Sequence, residues 1–331
     1  MKLIIPMAGR GTRLRPHTHT TPKPLMPVAG TMIVERIINT FGRTLDREID
    51  EIVFILGDFG SDIQKELTEL SKRHDAEATF RKQDEALGTA HAVYCAEEDL
   101  EGECIIVFAD TIFDTDSTVT VEDADSVIWL KQVENPSRFG VAVHEGERIT
   151  NFVEKPEEPI SDYAIIGVYY FREAEELKKQ IKYLLDNNIR GKDNEYQLTD
   201  ALDRMLQDNK VFKSATVDEW LDCGTLPAWL STSETILEKE NHPYDENEHT
   251  NTRIIPPVYI GDNVKLKNSV VGPNVTIDDG SRLDNCIVRD SIILRSSTIK
   301  NSHLENSTIG NHVKANQIHQ PVHLGDHTVI K

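Results

Sequence analysis

The first 34 residues contain five basic side chains, Lys2, Arg10, Arg13, Arg15 and Lys23, and no Asp or Glu; the first acid is Glu35. Across all 331 residues the formal net charge is −20, so this segment is a cationic exception on an acidic chain. A compact, highly charged anion is the ligand such a segment suits. Within it, Ala8-Gly9-Arg10-Gly11-Thr12-Arg13-Leu14 follows an apolar run. Glycines at that point let the backbone turn tightly and present N–H groups to phosphate oxygens. A glycine loop alone is a weak signal, and two familiar versions are excluded by residue. The dinucleotide-binding fingerprint needs Gly or Ala at its sixth position and an acid about twenty residues on; Leu14 and the acid-free stretch fail both requirements. The Walker loop needs Gly-Lys-Ser/Thr, which does not occur. What remains is a phosphate loop carrying its own Arg13, followed by Lys23 between Pro22 and Pro24.

That stretch, PMAGRGTRLRPHTHTTPKPLMPVAG, resembles the signature of the sugar-phosphate nucleotidyltransferases, the family of glucose-1-phosphate thymidylyltransferase and its uridylyl and guanylyl relatives. Further matches follow in order: Gln83 ahead of Leu-Gly-Thr-Ala (87–90), Phe-Ala-Asp-Thr (108–111), Arg-Phe-Gly-Val (138–141), Val-Glu-Lys-Pro (153–156), Tyr-Ala-Ile-Ile-Gly (163–167) and Trp-Leu-Asp-Cys-Gly-Thr (220–225). They run over about the first 230 residues. One departure is Ala8, where many members have a second glycine; its amide remains, so the loop geometry is expected to survive. The resemblance implies a Rossmann-like α/β/α catalytic domain followed by a small left-handed parallel β-helix. It also implies transfer of a nucleotidyl group from a nucleoside triphosphate to a sugar 1-phosphate, with release of pyrophosphate. The pattern around Gln83 looks more like that of pyrimidine users, so dTTP or UTP leads, with glucose 1-phosphate as first sugar. Mannose-1-phosphate guanylyl transfer and amino-sugar uridylyl transfer are the alternatives.

Such a reaction is an in-line attack of a sugar-phosphate oxygen on the α-phosphorus. The nucleophile is already an anion, so no general base or covalent Ser or Cys is required. The obstacle is repulsion between two polyanions, which cations and a metal relieve by positioning and electrostatic stabilisation. The resemblance implies that Arg13 and Lys23 hold the triphosphate and stabilise the departing pyrophosphate, beside the loop residues Ala8, Gly9, Gly11 and Thr12. It implies Mg²⁺ on Asp110 and Asp222. Gln83 would read the base through its amide, completed by Gly88 and Thr89 at a helix start. Lys155 would bind the sugar phosphate while Glu154 accepts from sugar hydroxyls, with Gly140 and Gly167 as close backbone approaches to the sugar. Glu195 is a weaker candidate. A non-catalytic regulatory paralogue that binds nucleotide sugar would be expected to have lost one of these charges, yet Arg13, Lys23, Asp110, Lys155 and Asp222 are all present.

These side chains need a scaffold, and the chain up to about residue 238 alternates β-branched apolar runs with helical periodicity, as in an α/β sheet covered by helices. Expected strands are Lys2 to Met7, Glu51 to Leu56, Ala76 to Lys82, Cys104 to Ala109, Ser126 to Gln132, Gly140 to His144, Ile149 to Glu154 and Ala164 to Phe171. Expected helices are Ile33 to Thr44, Ser61 to His74, Thr89 to Glu97, Glu173 to Asn187, Leu198 to Gln207 and Leu226 to Glu238. The turn at 57–60 then falls where ligand loops of such sheets lie.

A polar stretch, KENHPYDENEHTNT, follows and reads as a linker over 239–253, dividing a catalytic domain, 1–238, from a repeat domain, 254–331. In the repeat, Ile260, Leu266, Val271, Ile277, Leu283, Val288, Ile293, Ile299, Leu304 and Ile309 recur every five or six residues. That spacing stacks short parallel strands into a prism of about four coils of ~18 residues. Its histidines, His303, His312, His319, His323 and His327, occupy the kind of domain in which a related family transfers acyl groups; assembly into a homo-oligomer is the reading preferred here. A chain ending near Lys239 is accordingly expected to keep its chemistry. His17 and His19 read as loop residues. The acidic balance argues against a nucleic-acid partner. The N-terminal apolar run is too short for a signal peptide or membrane span, and four scattered cysteines suit reduced thiols in the cytoplasm.

Overall fold

The computed structural model describes residues 1–9, 11–45, 47–115, 121, 124–245 and 249–331; Arg10 lies outside the described residues. Strands up to residue 222 are β1 (Lys2–Pro6), β2 (Pro27–Val28), β3 (Thr31–Met32), β4 (Glu51–Leu56), β5 (Glu77–Lys82), β6 (Cys104–Val107), β7 (Thr111–Asp114), β8 (Ser126–Gln132), β9 (Gly140–Glu145), β10 (Arg148–Glu154), β11 (Tyr163–Phe171), β12 (Phe212–Thr216) and β13 (Glu219–Asp222). The α-helices are α1 (Ile33–Thr44), α2 (Ser61–Arg73), α3 (Thr89–Tyr94), α4 (Ala174–Asp186), α5 (Leu198–Gln207) and α6 (Leu226–Lys239).

Two compact units form: residues 1–9 with 35–220, and residues 10–34 with 221–331. The polar stretch after α6 is therefore not where the chain divides into compact units. α6 and the segment 10–34 group with the C-terminal coils because their buried groups find partners there. Trp229 of α6 donates its indole N–H to Pro27 O at 2.8 Å, and Ser233 of α6 lies 3.2 Å from Thr276 across hydroxyl oxygens.

In the first unit a nine-stranded mixed sheet has the order β5-β4-β1-β6-β11-β8-β12-β10-β9. β5, β4, β1 and β6 are mutually parallel, and β11 runs antiparallel to both β6 and β8. The parallel strands β1, β4 and β6 read as continuous apolar runs because both their faces are covered; Leu3, Ile4, Ile5, Ile52, Val53 and Ile106 are all fully buried. Their carboxyl ends carry Ala8 and Gly9, the turn 57–60, and Phe108 to Asp110, the edge of an open α/β sheet where ligands bind. β12 escapes sequence reading: Phe-Lys-Ser-Ala-Thr has one fully buried side chain, Phe212, although it lies between β8 and β10 inside the sheet. The short strands β7 and β13 escape it as well.

Beyond residue 250 the second unit is a stack of coils, its short strands falling into three parallel sheets that the chain visits in turn, the connectivity of a parallel β-helix. Arg253 stands beside Val270, Val270 beside Ile287 and Ile287 beside His303, so successive coils take 17, 17 and 16 residues rather than three full hexapeptides. The shortfall comes at the corners, where Asn251, Asn268, Asn285 and Asn301 adopt positive φ. Asparagine tolerates that region, and its amide bonds to the next coil's amide: Asn251 to Asn268 at 3.0 Å, Asn285 to Asn301 at 2.9 Å and Asn301 to Asn316 at 2.9 Å. The interior is the aliphatic column anticipated from spacing. Leu266, Leu283 and Ile299 stack through register, as do Ile277, Ile293 and Ile309. Buried serines satisfy the coil edges; Ser281, Ser297 and Ser302 each accept a backbone N–H from the following coil at 3.0–3.1 Å. Among the described residues Cys95, Cys104, Cys223 and Cys286 form no disulfide. Among the described residues no helix is long and apolar enough to cross a membrane.

Candidate functional site

In the second unit Arg13 of the N-terminal segment and Asp222 flank one glycine. Gly11 takes a left-handed conformation (φ 55°) and starts the single turn Thr12–Leu14 that carries Arg13. Lys23 begins a similar turn and is buried, in contrast to the exposed Arg13. Asp222, at the end of β13, is also exposed. One of its oxygens accepts the Gly224 N–H at 2.7 Å, and its carbonyl accepts from Thr232 Oγ1 at 2.7 Å. A Cβ placed on Gly224 would lie 2.8 Å from Asp222 Oδ1 and 3.3 Å from Arg13 Nη2. Two side chains some two hundred residues apart in sequence therefore crowd one glycine that must stay bare.

The first unit holds two further clusters. Gln83 follows β5; its N–H donates to Leu56 O at 2.8 Å and its amide nitrogen stands 3.4 Å from His91 Nδ1. Burial lowers the His91 pKa, the carboxylate of Glu85 opposing it. Gly88 precedes α3 with φ 124°, and a Cβ there would come within 2.6 Å of Tyr196 N and clash with the Tyr196 carbonyl. The stretch Leu87–Ala90 pairs with Tyr196 through Tyr196 N to Leu87 O and Ala90 N to Tyr196 O, both 2.9 Å. Thr89 Oγ1 donates to Gln197 Oε1 at 3.1 Å and accepts from Leu198 N at 2.9 Å, so its hydroxyl is engaged inside the protein. Beside Gln83, a cavity of about 250 Å³ opens at the ends of β4 and β5, lined by Asp58, Phe59, Gln64, Arg81 and Lys82 among others.

At the other cluster Glu154 ends β10, and its Oε2 accepts from Thr199 Oγ1 at 3.1 Å. Burial raises the Glu154 pKa; the Thr199 hydrogen bond and the Lys155 charge pull the other way. A Cβ on Gly140 would lie 2.8 Å from Glu154 Oε2 and 3.0 Å from Thr199 Cγ2. The bareness of Gly140 thus makes room for that carboxylate, a role the spacing did not suggest. Gly167 (φ 83°) sits against Phe108, whose N–H donates to Gly167 O at 2.9 Å. Lys155 is held at φ 44°, unusual for a side chain other than glycine and of the kind found at ligand sites. Its ammonium is 2.5 Å from Asp193 Oδ2, and that hydrogen bond raises the Lys155 pKa while lowering that of Asp193. Glu195 accepts from Gln197 at 3.3 Å in the same loop. Tyr169, buried in β11, was not singled out by motif; burial and the nearby carboxylates Glu154 and Asp110 push its pKa up. The signal available was its place two residues after Gly167 on one strand.

Asp110 is exposed just after β6, its N–H donating to Phe108 O at 2.9 Å. Mg²⁺ takes hard oxygen ligands and is commonly held by one or two carboxylates together with substrate phosphates and water. Asp110 in the first unit and Asp222 in the second are each of that donor type, and one oxygen of Asp222 accepts the Gly224 N–H. Among the described residues no group of three or more His, Cys, Asp or Glu could hold a metal ion.

A family model described as nucleotidyl transferase matches residues 2–239. A glucose-1-phosphate thymidylyltransferase of Streptomyces antibioticus is 29% identical, with 100% of this chain and 99% of that protein covered. The bifunctional protein GlmU of Methanococcus aeolicus is 32% identical over 72% of this chain, which spans only 55% of that longer protein. Among solved structures, one described as a glucose-1-phosphate thymidylyltransferase from Bacillus anthracis, in complex with a sucrose, superposes with a TM-score of 0.60 at 25% identity, covering 73% of this chain and 97% of that one.

Proposed function

The chain belongs to the nucleotidyl transferase family, and from that premise we propose that it joins a nucleoside triphosphate to a sugar 1-phosphate, giving a nucleotide sugar and pyrophosphate. The observation that carries the reading is the crowding of Arg13 and Asp222 on Gly224, a phosphate-binding cation beside a metal-type carboxylate. In this reading Arg13 and Lys23 bind the triphosphate over the backbone of Ala8, Gly9, Gly11 and Thr12, Arg13 by its planar fork and Lys23 as a point charge. Asp110 and Asp222 supply oxygens to Mg²⁺, which when bound neutralises charge on the phosphates. Gln83 meets the base, with Gly88 and Thr89 shaping the wall behind it. Lys155, supported by Asp193, takes the sugar phosphate. Glu154 accepts from sugar hydroxyls, with Gly140 and Gly167 beside it. The coils are taken as a left-handed β-helix within a cytoplasmic homo-oligomer.

Full-length relatives named as glucose-1-phosphate thymidylyltransferases favour dTTP or UTP with glucose 1-phosphate. A panel of four nucleoside triphosphates against glucose, mannose and amino-sugar 1-phosphates, read by pyrophosphate release, tests this. The pyrimidine triphosphates are expected to give the highest kcat/KM with glucose 1-phosphate, and Gln83→Ala to erode the preference about tenfold, the scale of one lost recognition hydrogen bond. Equal kcat/KM for dTTP, UTP, GTP and ATP in the native chain would refute it.

A further inference from the structure

Between Arg13 and Lys23 lies a segment that the chemistry does not use, and the end of the chain grips it. His17 is 1% exposed. Its Nε2 stands 2.7 Å from Thr308 Oγ1, and Thr308 Oγ1 stands 2.9 Å from His323 Nδ1. Trp229 meets the His17 ring edge-on at 5.3 Å. Thr20 donates to Asp326 Oδ2 at 2.7 Å, and a Cβ on Gly325 would reach 3.0 Å from Pro16 Cβ. On its other side the segment bears on the phosphate loop: Thr18 Oγ1 donates to Gly11 O at 2.7 Å, and a Cβ on Gly11 would touch both Thr18 Cγ2 and Lys23 Cβ. All these residues belong to the second unit.

We propose that the last coils position the phosphate-binding segment, with Thr308, His323 and Asp326 as positioning residues for Arg13 and Lys23; this rests on the nucleotide reading given above. A hydroxyl between two imidazoles donates to one and accepts from the other, which fixes both rings. Burial lowers the His17 pKa to about 4, the Asp326 carboxylate opposing and His323 assisting, so at neutral pH the ring bonds as a neutral group. Its Nδ1 is buried with no hydrogen-bond partner among the described residues, so the Thr308 bond is the polar contact that orients the ring. In this arrangement a chain ending near Lys239 lacks all three positioning residues, so its KM for the triphosphate is expected to rise.

The test uses full-length Thr308→Val, Thr308→Ser and Thr20→Val, the last on an exposed residue where folding is not at risk. Thr308→Val is expected to raise KM for the triphosphate about tenfold, with KM for the sugar 1-phosphate within about twofold of native. Hydrogen exchange of the peptide 11–25 should quicken in the same variant. Thr308→Ser should restore both, and Thr20→Val should show the same split on a smaller scale. A folded Thr308→Val with native KM or native exchange at 11–25 overturns the proposal, as does an equal rise in both KM values that serine does not rescue. If the native chain releases no pyrophosphate with any substrate pair, the nucleotide reading fails, and the exchange measurement alone decides the positioning.

Discussion

Asp110→Asn is expected to lower the rate of pyrophosphate release by about 10²–10³-fold at saturating substrates, while the thermal midpoint stays at the native value. The side chain sits just past the buried end of β6, after Ala109 at 3% exposure, and is itself exposed, so an amide of the same shape disturbs little packing. What changes is chemistry. An amide oxygen is a neutral, weaker ligand for a hard divalent cation, and a charge facing the repulsion between two polyanionic substrates is lost. The loss is expected in kcat, because stabilisation of the leaving pyrophosphate is needed most in the transition state. Turnover assays with circular-dichroism melts check both halves. A native rate in the variant would mean that Asp110 has been given the wrong role.

Gly88→Ala is expected to cost about 3–5 kcal/mol of stability, a drop of roughly 10 °C in thermal midpoint, and to weaken triphosphate binding with it. Two penalties combine. The φ of 124° is one that L side chains rarely adopt, and the new methyl would strike the backbone of Tyr196, which cannot rotate away as a flexible side chain could. Because Leu87 and Ala90 hydrogen-bond to Tyr196 on either side, relief requires the stretch after Gln83 to separate from the start of α5. Gly102→Ala is the comparison: its φ is 62° but nothing lies within 4 Å, so only the conformational cost of about 1 kcal/mol is expected. Equal midpoints for the two variants would show that the Tyr196 contact carries no weight.

Features encoded by local pattern were legible in the residues alone. The aliphatic spacing from Ile260 to Ile309 announced the coils, since each register pair puts like residues on one interior column. Strands β4 and β8 and helices α1 and α5 begin and end where apolar periodicity places them. What stayed hidden depends on contacts between distant stretches. The hydrogen bond from Thr89 to Gln197 spans 108 residues, and nothing near Thr89 predicts that its hydroxyl is engaged. His17 sits in a polar run that reads as a loop, yet it is buried and bonded to Thr308, 291 residues on. The role of Gly140 is invisible until Glu154 and Thr199 fold beside it. Lys155 carries no sequence mark of its left-handed backbone.

The most direct test of the proposed activity is pyrophosphate release by the purified full-length chain with Mg²⁺, a pyrimidine nucleoside triphosphate and glucose 1-phosphate, each reactant being omitted in turn. Transfer to a sugar-phosphate oxygen predicts release only when both substrates are present, in equal amount with a nucleotide sugar, and its abolition by excess chelator. Release with the triphosphate alone, or undiminished turnover in chelator, would contradict it.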